Sequence, residues 1–257
     1  MNISPFLDDD ELIRTNAYQG QIYLFEENET SIFLVDRINQ ELLKTFGENP
    51  IKAQFNDGFF YKIIELKKLF YNTVEYSELA KKLMEEFGFD TEENVIDPIR
   101  FQVIEQNKLN AKSITNYNAH RDTWYANPQN QLTWWIPLQD FTIDEALEIY
   151  PQYFQKAVKN DSDNFDYETE KNKQHDDDKI YPCLLEKIEG EKQEIICKKG
   201  QVLIFSGQHL HKIPSNSNEN TLFSFEFRSV HKEDYEKEIM SENVDNHSIG
   251  SSFNDYI

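Results

Sequence analysis

The sequence has few cysteines, few basic residues and no long apolar run, and each shortage excludes a class of protein. Its 257 residues include only two cysteines, Cys183 and Cys197, and their spacing matches no zinc motif. Isolated thiols of this kind are typical of a reducing compartment, so we expect a cytoplasmic protein without a disulfide scaffold. The first residues, MNISPFLDDDEL, lack the basic and apolar regions of a secretory signal, and no segment is apolar enough to cross a bilayer.

The charge balance limits the partners. The chain carries 47 acidic and 26 basic side chains, a formal net charge of -21. A surface of this sign repels phosphate backbones and anionic lipid, so we expect no nucleic-acid partner and no membrane partner. We expect a small-molecule substrate instead, while the sequence leaves the oligomeric state open. Aromatic residues make up 14% of the chain, which suits a packed β core or an aromatic-lined pocket.

The first part of the chain, residues 1–97, has mostly helical patterns. After an acidic arm over residues 1–20, QIYLFE (Gln21–Glu26) is a candidate strand. Three amphipathic segments follow it. The first is capped by Thr30 or Ser31 and ends at Gly47, the second is capped by Asp57, and the third runs from Ser77 to Gly88. In the second segment we expect an apolar face made of Phe60, Ile63, Ile64 and Leu69.

Residues 98–230 have the texture of short strands. Strand patterns cover 98–105, 112–120, NQLTWWIPLQD, QEIICK, GQVLIFSG and TLFSFEFRSV. A polar stretch over 141–181 is too long for a turn, so we interpret it as a functional insert or lid. Residues 231–257 form an acidic tail that is either disordered or folded across the site. We therefore predict one domain over 1–257, mainly β with bracing helices, whose core is a jelly roll, the double-stranded β-helix.

A possible metal site begins with His120 and Asp122. On an extended strand, residues i and i+2 point to the same side, so one imidazole and one carboxylate would face the same space. A jelly roll brings early and late strands together, and the late strands carry His209 and His211. Both of these histidines share one side of a strand, so spacing does not choose between them.

The order of motifs resembles the iron(II)- and 2-oxoglutarate-dependent oxygenases, in particular the phytanoyl-CoA dioxygenase-like branch. The resemblance covers 99–230 and rests on the H-x-D pair followed by Gly200, Phe205, His211, Asn216 and Arg228. His211 lies six residues after Phe205 and five before Asn216, and both offsets are similar to those of the distal histidine of that family.

The resemblance implies a set of roles. Fe(II) is expected on His120, Asp122 and His211, with O2 and 2-oxoglutarate as cosubstrates. Five residues are expected to hold 2-oxoglutarate: Arg228 on its far carboxylate, Thr133 or Gln131 on a carboxylate, and Trp135 and Asn118 beside it. Trp124, Tyr125 and Asn127 follow the H-x-D pair and are expected at the substrate rim. The presence of Asp122 favours hydroxylation or another C–H oxidation over halogenation.

Two other classes of protein stay open. Arg228 lies further along the last strand than the family's arginine, whose usual position is taken here by Asn220, Thr221 and Leu222. That displacement favours a cupin-like metal enzyme that does not use 2-oxoglutarate. A noncatalytic jelly-roll binding module is the third alternative. Arg121, between the first two candidate ligands, points to the opposite side and is interpreted as a structural salt-bridge residue.

Overall fold

The structure, a computed structural model, describes residues 2, 3, 9–106, 118–173, 181–213, 216 and 219–257. The strand predicted over 112–120 therefore lies mostly outside the described residues. The described helices are α1 (Asp10–Ala17), α2 (Glu29–Phe46), α3 (Phe59–Asn72), α4 (Val74–Glu86), α5 (Tyr167–Lys171) and α6 (Lys232–Glu236). Within these described segments, no helix combines the length and the apolar character needed to span a membrane.

Ten strands are described. They are β1 (Asn2–Ile3), β2 (Tyr23–Phe25), β3 (Asn94–Ile96), β4 (Arg100–Ile104), β5 (Leu132–Pro137), β6 (Leu147–Ile149), β7 (Gln193–Ile195), β8 (Val202–Ser206), β9 (His211–Lys212) and β10 (Leu222–His231). The helices and strands of residues 2–97 largely follow the sequence pattern. One difference is β3, which precedes residue 98 and yet pairs with β10, so the front of the chain also contributes to the sheet.

Helix α2 shows how local sequence sets an element's ends. Asn28, not Thr30 or Ser31, is the N-cap, and its side chain accepts a hydrogen bond from the Ser31 amide at 2.8 Å. The Ser31 hydroxyl accepts in return from the Asn28 amide at 3.0 Å, which completes a capping box. Gly47 ends the helix with φ 82°, a backbone conformation that favours glycine.

The predicted apolar face of α3 was wrong. Of that face, Phe60, Ile64 and Leu69 are exposed, each by 40% or more. The side chains that α3 buries are Phe59, Ile63, Leu66 and Phe70. The segment contains apolar doublets, so two helical faces satisfy the same pattern, and packing against β4 decides between them. The ends differed as well: α3 follows Gly58 without a side-chain cap from Asp57, and α4 begins at Val74 before Ser77.

The larger sheet supplies one wall of the interior. Its strand order is β1-β2-β8-β5-β10-β3, with β4 also paired to β10, and every pair except β1–β2 is antiparallel. Alternate side chains on β5 and β10, such as Trp134 and Phe227, pack in one core with the front helices. The residues between them, such as Thr133 and Arg228, which are register partners, point the other way.

The smaller sheet supplies the opposite wall, in the order β7-β6-β9. Trp135 and Phe205 of the larger sheet share an apolar cluster with Ile149 and Ile195 of the smaller one, so the two sheets face each other. Strand β6 lies inside the stretch 141–181 that we interpreted as an insert, so part of that stretch belongs to the core. The fold is sheet-rich, antiparallel and braced by helices, consistent with a jelly-roll-like arrangement.

The segment predicted as an acidic tail returns to the body of the molecule. Backbone hydrogen bonds join Ile257 and Ile96 in both directions, at 2.8 and 3.1 Å. The Ser252 amide donates to the carbonyl of Ala126 at 2.9 Å, and Ala126 is only four residues after Asp122. Of the two alternatives for residues 231–257, the structure therefore favours the one in which the segment folds beside the candidate site.

Candidate metal centre

Three side chains from two separate parts of the chain meet between the sheets. His120 and His211 form an isolated antiparallel bridge, with backbone N–H to O=C distances of 3.0 Å in both directions. Asp122 follows at the start of a short 3₁₀ turn. One possible ligand atom from each of His120, Asp122 and His211 lies within 4.8 Å of the others. Among the described residues, this is the group of histidine and carboxylate side chains placed to hold a metal ion.

The hydrogen bonds of the two imidazoles fix which ring nitrogen faces the centre. Nδ1 of His120 lies 2.9 Å from the carbonyl oxygen of Asn118, and Nδ1 of His211 lies 3.0 Å from that of His209. A carbonyl oxygen only accepts, so each Nδ1 carries the proton and each Nε2 has a free lone pair. Both Nε2 atoms lie 3.9 Å from Oδ1 of Asp122, which places three donor atoms around one small space.

The other oxygen of Asp122 is held by the larger sheet. Thr133 Oγ1 donates to Oδ2 of Asp122 at 2.6 Å, and Gln131 Nε2 donates to the same oxygen at 3.0 Å. Gln131 also donates to Thr133 Oγ1 at 2.7 Å, so the two side chains are linked. Oδ2 of Asp122 is therefore fixed, and Oδ1 faces the imidazoles. Carboxylates that bind metals are commonly oriented by such hydrogen bonds from neighbouring side chains.

The electrostatics favour the protonation states that a metal requires. Burial, and next the charge of His211, lower the pKa of His120 to about 4, so its imidazole is neutral near pH 7. Burial opposes the ionised form of Asp122. The neighbouring His211 and His120 and the hydrogen bonds from Thr133 and Gln131 nevertheless hold the pKa of Asp122 below its usual value. A neutral imidazole and an ionised carboxylate are the forms that bind divalent metals.

Arg228 does not project freely into the interior. Its Nε lies 3.4 Å from Asp122 Oδ2, and its Nη1 lies 3.3 Å from Asp97 Oδ2. A third carboxylate, Glu226, lies 3.4 Å from Nη2. In this structure the guanidinium therefore braces the candidate ligand Asp122. Its predicted role as the 2-oxoglutarate anchor stays a prediction.

A group of charged residues behind Asp122 was missed by sequence reasoning. Arg100 Nη2 pairs with Asp97 at 2.8 Å and lies opposite Glu226 in the register of β4 and β10. Burial is the main cause that raises the pKa of Asp97 to about 7 and that of Glu226 to about 8, and the charge of Asp122 adds to both shifts. The alternation of β10 could have shown that Glu226 shares a side with Arg228; Asp97 gave no comparable signal.

The other residues expected beside 2-oxoglutarate have different surroundings. Trp135 lies in the cluster between the sheets, and its buried Nε1 has no hydrogen-bond partner among the described residues. Asn118 is exposed, and its backbone carbonyl, through the hydrogen bond to His120, is what connects it to the site. The alternation of β5 directs Thr133 and Trp135 towards the interior, and Gln131, directly before the strand, points the same way and contacts Asp122.

The three rim residues separate in the structure. Tyr125 packs edge-on to His120, with ring centroids 5.5 Å apart, and its hydroxyl donates to the Pro182 carbonyl at 3.1 Å. Trp124 is fully buried, which differs from the predicted rim, because the 3₁₀ turn directs its side chain into the protein. Asn127 is also buried and donates from Nδ2 to the Asp122 carbonyl at 2.8 Å, so it supports the loop.

His209, the alternative to His211, lies away from the cluster. Its Nδ1 is 3.0 Å from the Ser206 carbonyl oxygen, and its Nε2 is 3.2 Å from that of Gly20. Both ring nitrogens therefore have backbone partners. The two histidines share strand parity in the sequence, but only His211 lies on β9 opposite His120.

Comparisons with known proteins give structural neighbours and no sequence relatives. No protein-family model matches the chain, and no curated protein matches it. EvdO2 from Micromonospora carbonacea var. aurantiaca, solved with 2-oxoglutarate, has a TM-score of 0.51 and 11% identity and covers 95% of this chain and 100% of its own. This likeness shows a shared fold.

Two further structures are similar at lower scores. The non-heme monooxygenase ThoJ has a TM-score of 0.47 and 10% identity, covering 86% of this chain and 82% of its own. SnoK, a non-heme alpha-ketoglutarate-dependent carbocyclase from nogalamycin biosynthesis, has a TM-score of 0.43 and 13% identity. The match covers 88% of this chain and 86% of SnoK. ThoJ and SnoK are thus described as non-heme enzymes. Membership of the phytanoyl-CoA branch stays a prediction for this chain.

Proposed function

We propose that this protein is an Fe(II)- and 2-oxoglutarate-dependent dioxygenase with a double-stranded β-helix core. Its reaction would hydroxylate or otherwise oxidise a C–H bond of a small metabolite, with release of succinate and CO2. The observation that carries the proposal is the cluster of His120, Asp122 and His211 between two antiparallel sheets. Two imidazoles and one carboxylate with open positions are the ligand set of non-heme Fe(II) oxygenases.

The residues present fit such an ion. Nε2 of His120, Nε2 of His211 and Oδ1 of Asp122 would be the ligand atoms, because both Nε2 atoms lie 3.9 Å from Oδ1 while both Nδ1 atoms face backbone carbonyls. Fe(II), with O2 and 2-oxoglutarate, would supply the oxidation, one oxygen atom going to succinate and the other to the substrate. The protein's own contribution is to orient the carboxylate and to surround the centre with apolar side chains such as Phe205 and Ile149.

The cosubstrate would lie between the sheets, along the interior face of β5 and β10. Trp135 Nε1 is buried there without a partner among the described residues, so it can donate to a ligand oxygen. Arg228 is the proposed partner of a 2-oxoglutarate carboxylate, although its guanidinium already contacts Asp122 and Asp97. Gln131 and Thr133, proposed for the same cosubstrate, would then serve both it and Asp122.

The substrate would approach past the loop that follows the H-x-D pair. Tyr125 stands beside His120 and forms ring contacts with Phe165 and Tyr181, so it is the proposed rim residue with direct structural support. Trp124 and Asn127 would act indirectly by holding this loop. The rim is aromatic, whereas the charged groups lie behind Asp122 and are paired with one another. A small metabolite is the proposed class of substrate.

The engagement of Arg228 specifically favours a second candidate function. An arginine that contacts three carboxylates must release at least one of them before it can hold a 2-oxoglutarate carboxylate through two N–H donors. A metal-dependent enzyme of cupin-like type, which does not use 2-oxoglutarate, would need no such release. In that case Arg228 would serve only to brace Asp122.

A thermal melt separates the two candidates. Metal-stripped protein is heated under anaerobic conditions alone, with Mn(II), and with Mn(II) plus 2-oxoglutarate. A ligand that binds only the folded state at a hundredfold its dissociation constant stabilises it by about 2.7 kcal/mol, which a melt detects. We expect both additions to stabilise the wild type. In Arg228→Ala we expect the increment from 2-oxoglutarate to disappear and the increment from Mn(II) to shrink without disappearing, because the guanidinium also braces Asp122.

Other outcomes would redirect the assignment. If Mn(II) stabilises the wild type and 2-oxoglutarate adds no further stabilisation, the cupin-like enzyme is favoured. If Mn(II) stabilises wild type and His211→Ala equally, the cluster is not the metal site. Consumption of 2-oxoglutarate by the Fe(II)-loaded protein is the confirming assay.

A further inference from the structure

A buried ion pair joins the H-x-D loop to the C-terminal segment. Arg121, between the candidate ligands His120 and Asp122, pairs with Asp245 through Nε at 3.0 and 3.2 Å and through Nη2 at 3.1 Å. The side chains are 0% and 3% exposed, so the pair is sealed from water. Such a pair is fork-like, with two guanidinium nitrogens on one carboxylate, and it is more directional than a single contact.

Arg121 also donates to three backbone carbonyls in two segments of the chain. Its Nη1 donates to the carbonyl of Gln208, which lies three residues before His211. Its Nη2 donates to the carbonyls of Tyr153 at 2.8 Å and Lys156 at 3.0 Å. One guanidinium therefore connects the loop that carries two candidate ligands to the segment that carries the third.

Asp245 completes the connection from the other side. Its Oδ1 accepts from Trp124 Nε1 at 2.8 Å, and its Oδ2 accepts from the Val158 amide at 3.0 Å. The indole of Trp124 is fully buried and belongs to the same 3₁₀ turn as Asp122. Asp245, 123 positions after Asp122, thus fixes both Arg121, the residue before Asp122, and the turn that begins at Asp122.

We infer that Asp245 is a positioning residue for the metal centre, acting through Arg121 on the segments that carry His120, Asp122 and His211. The inference rests on the proposed function, since it assumes that these three side chains bind a divalent metal. A buried ion pair is weak evidence for a role in stability, because neutral replacements often fold as well. What the pair does provide is a fixed distance between two ligand-bearing segments, and metal sites need their ligands held within about 0.5 Å.

The first test measures metal affinity, with Mn(II) as the probe. Metal-stripped wild type, Asp245→Asn and Asp255→Asn are titrated with Mn(II), and free Mn(II) is followed by its EPR signal. Asp255 is a matched control, because it anchors the same C-terminal segment to Lys171 and Tyr167 without contacting the H-x-D loop. Since outer-shell changes typically weaken metal binding about 10- to 100-fold, we expect that loss in Asp245→Asn and wild-type affinity in Asp255→Asn.

A second variant covers the case in which Asp245→Asn does not fold because Arg121 keeps an unpaired charge. The double variant Arg121→Met, Asp245→Asn removes both charges and leaves an amide oxygen for Trp124 or Val158. We expect it to fold and still to bind Mn(II) about 10- to 100-fold more weakly. Wild-type affinity in a folded variant would overturn the inference.

A measurement on the unmodified protein completes the test. If Asp245 supports metal binding, then the metal must stabilise the Asp245 contacts by the same factor. Mn(II) should therefore slow hydrogen exchange of the Val158 amide and leave the exchange of the amides of α5 (Tyr167–Lys171) unchanged. Unchanged exchange at Val158 would refute the inference. The proposed function fails separately, if His211→Ala and wild type bind Mn(II) alike.

Discussion

Replacing Thr133 by valine would remove the hydroxyl that holds Asp122 in place. The hydroxyl donates to Oδ2 of Asp122 at 2.6 Å and accepts from Gln131 at 2.7 Å, and the side chain is 1% exposed. Valine has nearly the same shape, so the change deletes the hydrogen bonds and little else. A hydrogen bond to a charged group stabilises by about 1.5–3 kcal/mol, and we expect a loss of that size from the free energy of unfolding.

The effect on metal binding should be of similar size. If the whole of that energy orients Asp122, affinity falls by about tenfold for each 1.4 kcal/mol, or roughly 10- to 100-fold. The loss should grow towards acidic pH. Thr133 is among the groups that lower the pKa of Asp122, so without it the carboxylate takes up a proton at higher pH and no longer binds metal.

A matched control separates stability from metal binding. The hydroxyl of Thr30 donates to a carboxylate oxygen of Glu86, in the helical front of the chain, and its side chain is buried. Thr30→Val should therefore lower the free energy of unfolding without changing the dissociation constant for Mn(II). Urea unfolding and calorimetric titration with Mn(II) measure the two quantities. Equal Mn(II) affinity in Thr133→Val and Thr30→Val would refute the reasoning.

Three further predictions concern the strand and loop before His211. His209→Gln should retain Mn(II) binding, whereas His211→Ala should lose it, and the reverse result in a titration would reassign the third ligand. Burial lowers the pKa of His209 from 6.5 to about 4, so the unfolded chain takes up a proton first on acidification. Stability from this group is therefore full above pH 6.5 and falls by up to about 3 kcal/mol towards pH 4, measured as the difference in urea unfolding between wild type and His209→Gln. If the free energy of unfolding falls with pH in the same way in wild type and in His209→Gln, this prediction is contradicted. Gly207→Ala should weaken Mn(II) binding, because a Cβ there would stand 2.9 Å from Nε2 of Gln131 and displace it from Asp122, and an unchanged dissociation constant would count against this.

The sequence located the cluster of His120, Asp122 and His211, although part of the physical reasoning differs from what the structure has. The sequence predicts His120 and Asp122 on one strand, with their side chains on the same side. In the structure the bridge to His211 ends at His120, and Asp122 already begins a 3₁₀ turn. The two side chains converge because the turn folds back and because Thr133 and Gln131 hold the carboxylate. The spacing of two residues predicted that His120 and Asp122 face the same space, but it did not predict the turn and the hydrogen bonds that bring them together.

Short elements and ambiguous faces account for what the sequence did not predict. Strand β6 has three residues, which is too short for a periodic pattern to stand out from the polar segment around it. In α3 the adjacent apolar residues allow two faces, and the choice depends on contacts such as that of Phe70 with Phe101 of β4, whose ring centroids lie 5.1 Å apart. Both errors reflect tertiary contacts that no local pattern contains.

Asp245 is the extreme case of a residue whose role no local pattern could reveal. It is one of 47 acidic residues, and it lies in an acidic segment that the sequence leaves either disordered or folded across the site. What distinguishes Asp245 is its burial beside Arg121. The sequence predicts a structural salt bridge for Arg121 but does not identify its partner. Because the same guanidinium also binds the Gln208 carbonyl, the contact links residues near positions 120, 208 and 245. The geometry of the candidate metal centre therefore depends on segments that are far apart in sequence, and we expect that a substitution in the acidic C-terminal segment can act on the site without touching a candidate ligand.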